Sequence, residues 1–339
     1  MHNNISATYK VREENKMRSH LKLAGLLAVL ITVIPLLSLL HEPPSKTADS
    51  ELVETVDILF TETGEVKKIP MKNYIIGAVF AQMPARFDEE ALKAQAVLAH
   101  TYALRRMEEE KLSPTEDLKG AVMSDDRDKY QAYFTPEEAK VCCRDDYAEA
   151  YRKIEAAADY ATDRYLSYDG KPVIAAFHAI SCGKTVSSKS AWGRDIPYLI
   201  SVDSSWDCDG NKHITETVIG EDEIRERIKT VFPDTDLENG ALDPTVTERT
   251  DEGCASVVEL CGKVFIAGDV FAKAVGLPSS CFEVIGEGDK YTFSCKGKGH
   301  LVGMSQHGAD AMARNGKSCE EILSHYFPNT ELICTRPVK

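Results

Sequence analysis

Three stretches of the chain set polar side chains beside glycine or proline in apolar surroundings, a pattern suited to aiming functional groups into a cleft. The first, Ala81-Gln82-Met83-Pro84, leads into Glu90-Ala91-Leu92-Lys93-Ala94-Gln95-Ala96. A loop between two helices can present Gln82 to a ligand, and Lys93 and Gln95 fall on the helix that would wall the cleft. The same pattern also fits an ordinary loop amide and a solvated lysine. The second is Phe177-His178-Ala179-Ile180-Ser181-Cys182-Gly183-Lys184-Thr185. Gly183 lets backbone approach a ligand, and Ser181 both donates and accepts hydrogen bonds. Ser181 or Cys182 with His178 nearby suggests a nucleophile and base, but neither a G-x-S-x-G nor a papain-like signature surrounds them. The third, Lys296 to Ala309 (KGKGHLVGMSQHGA), is glycine-rich and runs into a helix start at Ser305 and Gln306. Such a start can bind an anion, yet no Walker Lys-Ser/Thr pair is present. His300 and His307 lack the H-E-x-x-H spacing, which favours hydrogen bonding over metal ligation. Neither a metal nor a cofactor is expected from these patterns.

The elements that must hold these stretches are legible in outline. Leu52 to Phe60 and Glu65 to Ile69 flank Thr61-Glu62-Thr63-Gly64 as a hairpin. Tyr74 to Ala81 reads as a short apolar helix stopped by Pro84. Asp88 is suited to cap a second helix over about 89 to 110, with Glu89 and Glu90 in its positive first turn. Ala91, Ala94, Ala96, Ala99 and Ala103 make that helix narrow enough for close packing, so it should be the central buried one. Asp169-Gly170 predicts a hairpin between Tyr165 to Ser167 and Val173 to His178. Glu221 to Val231 carries Ile224, Ile228 and Val231 at helical spacing. A further hairpin surrounds Gly262, and Tyr291 to Cys295 reads as a strand. Helices from Ser305 to Asn315 and from Ser318 onward should close the chain, the latter with a Ser318/Glu321 capping box. Hairpins interspersed with helices, without regular βαβ units, predict an α+β fold.

Composition narrows the function classes. The 339 residues include 40 Lys+Arg against 54 Asp+Glu, a net charge of −14, with 43% hydrophobic residues. That is enough apolar material for a core, and the acidic excess without any basic run of five excludes nucleic acid as a natural partner. Positive charge is concentrated at the start, in Lys10, Arg12, Lys16, Arg18 and Lys22. Leu23 to Leu40 (LAGLLAVLITVIPLLSLL) then holds no charge and as a helix spans about 27 Å, close to the hydrocarbon thickness of a bilayer. The expected organisation is a cytoplasmic tail at 1–22, a transmembrane anchor at 23–40, a linker at 41–51 and an extracytoplasmic domain at 52–339. A cleaved signal peptide is the competing reading of the apolar run. Ten cysteines suit an oxidising compartment, but there is no C-x-x-C and Cys142-Cys143 are adjacent, so disulfides and free buried thiols both stay open.

Taken in order, Tyr74-Ile75-Ile76-Gly77, Gln82-Met83-Pro84, Glu90 to Ala96, Thr101-Tyr102-Ala103, Phe177-His178, Trp192-Gly193, Pro197-Tyr198-Leu199, Gly299-His300 and Gly303-Met304-Ser305-Gln306 resemble the stage II sporulation protein D family. The likeness runs from about 52 to 336. It implies a membrane-anchored peptidoglycan lytic transglycosylase that acts between mother cell and forespore during engulfment, with related domains in amidase-enhancer proteins. The implied partners are peptidoglycan glycan strands, the cytoplasmic membrane and envelope or engulfment complex proteins. In such chemistry one carboxyl group protonates the oxygen leaving the MurNAc-GlcNAc bond, and the muramyl 6-hydroxyl closes an anhydro ring.

In the family that carboxyl is a Glu immediately before Met-Pro, and here the position is Gln82. An amide keeps the shape but carries no ionisable proton, and losing a general acid removes roughly 10²- to 10⁴-fold of rate. Glu89 and Glu90 are the nearest substitutes in sequence, although Glu90 already fills the family's own Glu-Ala-Leu-Lys position. The resemblance assigns Lys93, Gln95, His178, Ser181, His300, Ser305 and Gln306 to the substrate cleft. Some relatives carry a His and a Cys-x5-Cys pair resembling a zinc site; in register this chain has Leu118, Ser124 and Tyr130, which are not zinc ligands. Cys182 and Leu301 stand where the family has Gly, and His100 where Arg is usual. The alternative to a transglycosylase is a non-catalytic glycan-binding or amidase-modulating scaffold of the envelope.

Overall fold

The computed structural model describes residues 55–208, 213–237 and 240–335. The tail, the apolar segment Leu23 to Leu40 and the linker lie outside the described residues. Among the described residues, no helix is long and apolar enough to cross a membrane.

The chain opens with the expected hairpin, β1 (Thr55–Phe60) and β2 (Glu65–Pro70), paired antiparallel from Thr55↔Pro70 to Phe60↔Glu65. A short β3 (Met123–Ser124) joins β1 in parallel. Between them lie α1 (Met71–Gln82) and α2 (Glu89–Leu112). The carboxylate of Asp88 accepts from the Glu90 N–H at 3.1 Å, and Glu89 and Glu90 complement the positive end of the helix. As its alanines predict, α2 is central: Ala91, Ala94, Ala96, Ala99 and Ala103 are fully buried. Around it pack α1, α4 (Tyr147–Ala161) and β4 (Arg164–Tyr168). Thr101 Oγ1 donates to the Val97 carbonyl at 2.7 Å and accepts from the Leu166 N–H at 3.0 Å, pinning β4 to α2. The ring of His100 meets the Arg164 carbonyl at 2.8 Å beside it. The helix α3 (Pro136–Cys143), with a Thr135/Glu138 capping box, completes this side. A Cβ at Gly77 would collide with the Tyr133 ring and the Phe134 carbonyl, which accounts for glycine in the middle of α1.

The Asp169-Gly170 hairpin forms between β4 and β5 (Lys171–Pro172), and β14 (Glu331–Cys334) adds to the outer side of β4. Its second arm is shorter than the expected Val173 to His178. The chain leaves the ladder after Pro172, and β6 (Phe177–His178) instead pairs in parallel with β13 (Met304–Ser305). Beyond β6 comes the short α5 (Ser188–Trp192). The closing helices α8 (Gln306–Arg314) and α9 (Cys319–Tyr326) start on Ser305 and on the predicted Ser318/Glu321 capping box.

Between α5 and β13 the chain builds a lobe with its own core. It contains β7 (Ile214–Gly220), α6 (Glu221–Val231), β8 (Thr245–Arg249), β9 (Ala255–Leu260), β10 (Val264–Ala267), α7 (Gly268–Val275), β11 (Phe282–Glu287) and β12 (Lys290–Lys296). Two antiparallel sheets, β11-β12-β7 and β10-β9-β8, enclose Phe271, Phe282 and Phe293, whose ring centroids lie 5.7–6.0 Å apart. Mixed helices and small, mainly antiparallel sheets make the fold α+β, as predicted.

Candidate functional site

Gln82 is the last residue of α1, where helix carbonyls have no intrahelical partner. Gln306, the first residue of α8, supplies one: its Nε2 donates to the Gln82 carbonyl at 2.9 Å and to Gln95 Oε1 at 3.1 Å. Gln95 is wholly buried, and its own Nε2 has no partner among the described residues. The first and third sequence stretches therefore meet in space, through an amide chain that fixes the end of α1.

The half-exposed Gln82 lines a cleft of about 740 Å³ together with Met83, Arg86, Asp146, Glu149 and Lys153. Its far wall is the start of α4, which sequence reasoning did not foresee. Asp146 and Glu149 are the carboxylates that share this cleft with Gln82, and both are exposed. Lys153 crosses the helix junction to donate to the Phe87 carbonyl at 2.9 Å.

Glu90, the nearest substitute acid in sequence, is committed elsewhere. One oxygen receives Lys93 Nζ at 2.6 Å and the other receives the Cys319 N–H at 2.8 Å, which caps α9. Lys93 is thereby an ion-pair partner over the Tyr160 ring, its ammonium strengthened by the Glu90 hydrogen bond. Glu89 lies in an adjoining depression with Arg314, on the other side of Arg86 and Lys153, which border both.

The second stretch does not reach the Gln82 cleft. Ser181 is fully buried, with its N–H donating to Asp207 Oδ2 at 3.0 Å and its hydroxyl facing the Ser204 carbonyl at 3.4 Å. Ser305 donates to Asp207 Oδ1 at 2.9 Å, and Ser204 donates to Oδ2 at 2.9 Å while meeting the Tyr326 hydroxyl at 2.8 Å. Asp207, which no sequence signal marked, thus gathers the second stretch, the third stretch and α9 around one buried carboxylate. Ser181 and Ser305 are knots of this network.

His178 is buried; Nδ1 faces the Val302 carbonyl at 3.2 Å and so carries the proton, and Nε2 has no partner among the described residues. Burial, reinforced by the adjacent His300 ring, pushes the His178 imidazole down to about 3. Burial also lowers His300, whose Nδ1 accepts from the Val302 N–H at 3.1 Å. The His300 ring stands edge-on to Trp192 at 5.6 Å and lines a second cavity, of about 480 Å³, between the lobe and the body. The sequence expectation of one groove shared by Gln82, Ser181 and His300 is therefore corrected to two cavities and a buried network. Side-chain polarity alone does not show which stretch faces solvent.

The positions in register with the zinc-like set serve packing: Leu118 and Tyr130 join Leu59 and Ala121 in a small apolar cluster. A different set of donors does converge. Cys182, Cys254 and Cys281 have sulfurs within 4.8 Å of one another, a grouping invisible to a search for closely spaced ligands.

Fold and site define a mixed α+β domain with a polar cleft at a helix-helix junction. The sequence pattern of the Stage II sporulation protein family matches residues 60–168, spanning α1, α2 and β4. The chain is 32% identical to the stage II sporulation protein D of Bacillus amyloliquefaciens over 90% of its own length and 93% of that protein. It is also 32% identical to stage II sporulation protein D of Bacillus subtilis, covering 86% and 83% of the two chains. It belongs to the stage II sporulation protein D family. An amidase enhancer of Bacillus subtilis is 25% identical over 76% of this chain and 40% of that protein.

Proposed function

We propose that the chain is a membrane-anchored, extracytoplasmic member of its family that holds peptidoglycan glycan strands in the Gln82 cleft during septal remodelling and forespore engulfment, without cleaving them efficiently. The observation that carries this reading is the carboxamide of Gln82 at the cleft-facing end of α1, at the position where the resemblance implies a carboxyl. Gln306, itself braced by Gln95, bonds the carbonyl at that end, which supports reading the Gln82 side chain as the group offered to a glycosidic oxygen. Gln can hydrogen-bond that oxygen but cannot protonate it near neutral pH, so recognition survives while bond scission is lost. Glu90 is no substitute because both of its oxygens are engaged.

Within this reading the sugar contacts fall to Gln82, Arg86, Glu149 and Lys153. Gln306 and, through it, Gln95 brace the end of α1 behind the cleft, whereas Lys93, His178, Ser181 and Ser305 hold the surrounding fold away from it. The likeness to an amidase enhancer favours a second reading, in which bound glycan is presented to a separate amidase.

Co-sedimentation with purified, insoluble peptidoglycan tests the proposal. Binding should persist in the unmodified chain and fall several-fold in an Arg86→Ala/Lys153→Ala variant. Failure of the folded, unmodified chain to sediment with peptidoglycan contradicts it. Faster product release by an added amidase in the presence of the chain distinguishes the second reading.

A further inference from the structure

We propose that Cys182, Cys254 and Cys281 form a trithiolate site for a thiophilic cation such as Zn²⁺, fastening the lobe to the body of the domain. The inference is independent of the glycan reading. Cys182 belongs to the body, in the loop after β6, whereas Cys254 and Cys281 precede β9 and β11 of the lobe. All three sulfurs lie within 4.8 Å of one another. Tetrahedral Zn–S bonds of about 2.3 Å set sulfurs about 3.8 Å apart, so each pair needs to close by no more than about 1 Å.

Short, braced loops present the three thiols. The Cys254 carbonyl accepts from the Thr250 N–H at 2.9 Å, and the next residue, Ala255, donates its N–H to the Ser280 carbonyl at 2.8 Å, locking the two lobe segments side by side. The Cys281 carbonyl accepts from the Lys296 N–H at 2.7 Å. Cys182 is held by the Gly183 N–H donating to Ser181 Oγ at 3.1 Å and by the Ser204 N–H donating to the Gly183 carbonyl at 3.0 Å. Backbone hydrogen bonds thus set the ligand geometry in advance, and binding need order little further chain.

Three convergent thiols suit a soft cation better than a disulfide, which would use two and strand the third. Cys254 and Cys281 are buried, while Cys182 is partly exposed. The second cavity, lined by Cys254, gives an entry path and room for a water as fourth ligand. Three thiolates and a divalent cation leave one net negative charge, and cationic side chains lie at hand. Lys296 is bonded through its backbone to Cys281, and Lys184, two residues after Cys182, reaches the Asp251 carbonyl at 3.0 Å. Each thiol that ligates gives its proton to solvent: Zn²⁺ and three thiols yield a zinc trithiolate and three protons, so affinity must weaken in acid. The Cys182 thiol, which otherwise donates to the Lys184 carbonyl at 3.4 Å, turns from that carbonyl to the metal.

The chain, purified in detergent with a phosphine reductant, should retain one equivalent of Zn²⁺ through dialysis. Titrated with Co²⁺ after chelator treatment, it should develop the near-ultraviolet absorption of thiolate-to-cobalt charge transfer. Cys182→Ser, Cys254→Ser and Cys281→Ser should each weaken Zn²⁺ binding by roughly 100-fold or more, whereas Cys142→Ser, at an exposed thiol, should leave it unchanged. Should a variant misfold, alkylation mapping on the unmodified chain decides independently. Zn²⁺ should protect Cys182, the partly exposed member of the three, and leave Cys142 reactive. Absence of thiolate-to-cobalt absorption, alkylation of Cys182 indifferent to Zn²⁺, or a disulfide joining two of the three in protein isolated without reductant would each overturn the proposal.

Discussion

The side-chain amide of Gln306 donates to the main-chain carbonyl of Gln82 at 2.9 Å, across 224 residues of sequence. One bond joins the start of α8 to the end of α1 and holds in place the residue that lines the cleft there. Because Gln306 also satisfies the buried Gln95, losing it leaves two acceptors to find new partners.

Gln306→Leu should therefore destabilise the domain by about 1–3 kcal/mol, read as a lower urea midpoint with an unchanged slope. It should also reduce peptidoglycan co-sedimentation more than its stability loss explains, because the end of α1 is no longer fixed. A neutral result in both measurements would show that Gln306 does not position the cleft.

The backbone at Leu301 is left-handed, φ 63°, a conformation that glycine adopts without strain. Its side chain is nevertheless fully buried. Leu301→Gly relieves about 1 kcal/mol of backbone strain but forfeits burial worth about 2–5 kcal/mol. The net expectation is a destabilisation of roughly 1–4 kcal/mol in chemical denaturation. A stabilised variant would mean that strain outweighs packing at this turn.

Burial holds His178 neutral in the folded chain, with its imidazole at about 3 against an ordinary value near 6.5 when unfolded. Its lowered value makes the unfolded chain the better proton binder in acid. The associated stability is complete above about pH 6.5, declines as the pH falls toward about 3, and is gone below that. His100, also buried and lowered, acts in the same sense. Urea midpoints measured from pH 7 to pH 4 should fall, and His178→Gln should be less stable at pH 7 yet lose stability less steeply. An unchanged slope in the variant would assign the acid sensitivity to other groups.

What the sequence discloses is local. The Asp88 cap, the Ser318/Glu321 box, the Asp169-Gly170 turn and the alanine stripe of α2 are written in residues a few positions apart, and each forms as expected. Gln82 stood out only against the Glu-Met-Pro pattern that the resemblance implies. The opposite wall of its cleft escaped notice because the helix bearing Glu149 shows no polar motif of its own. Asp207 lies 26 residues from Ser181 and 98 from Ser305, so its role as their common acceptor emerges only when β6 and β13 pair. The three thiols escaped for the same reason, since Cys182 and Cys254 come from separate parts of the fold. Polar residues beside glycine mark a turn or a knot as readily as a binding wall, which is why Ser181 and Ser305 proved to be interior.

The central claim concerns proton supply at one position, and digestion of purified peptidoglycan by the unmodified chain and by Gln82→Glu, with released muropeptides identified by mass spectrometry, tests it most directly. The account predicts few 1,6-anhydro ends from the unmodified chain and a gain of roughly 10²- to 10⁴-fold on Gln82→Glu. Equal, abundant anhydro products from both would contradict it and direct attention to Glu149 and Asp146 across the cleft.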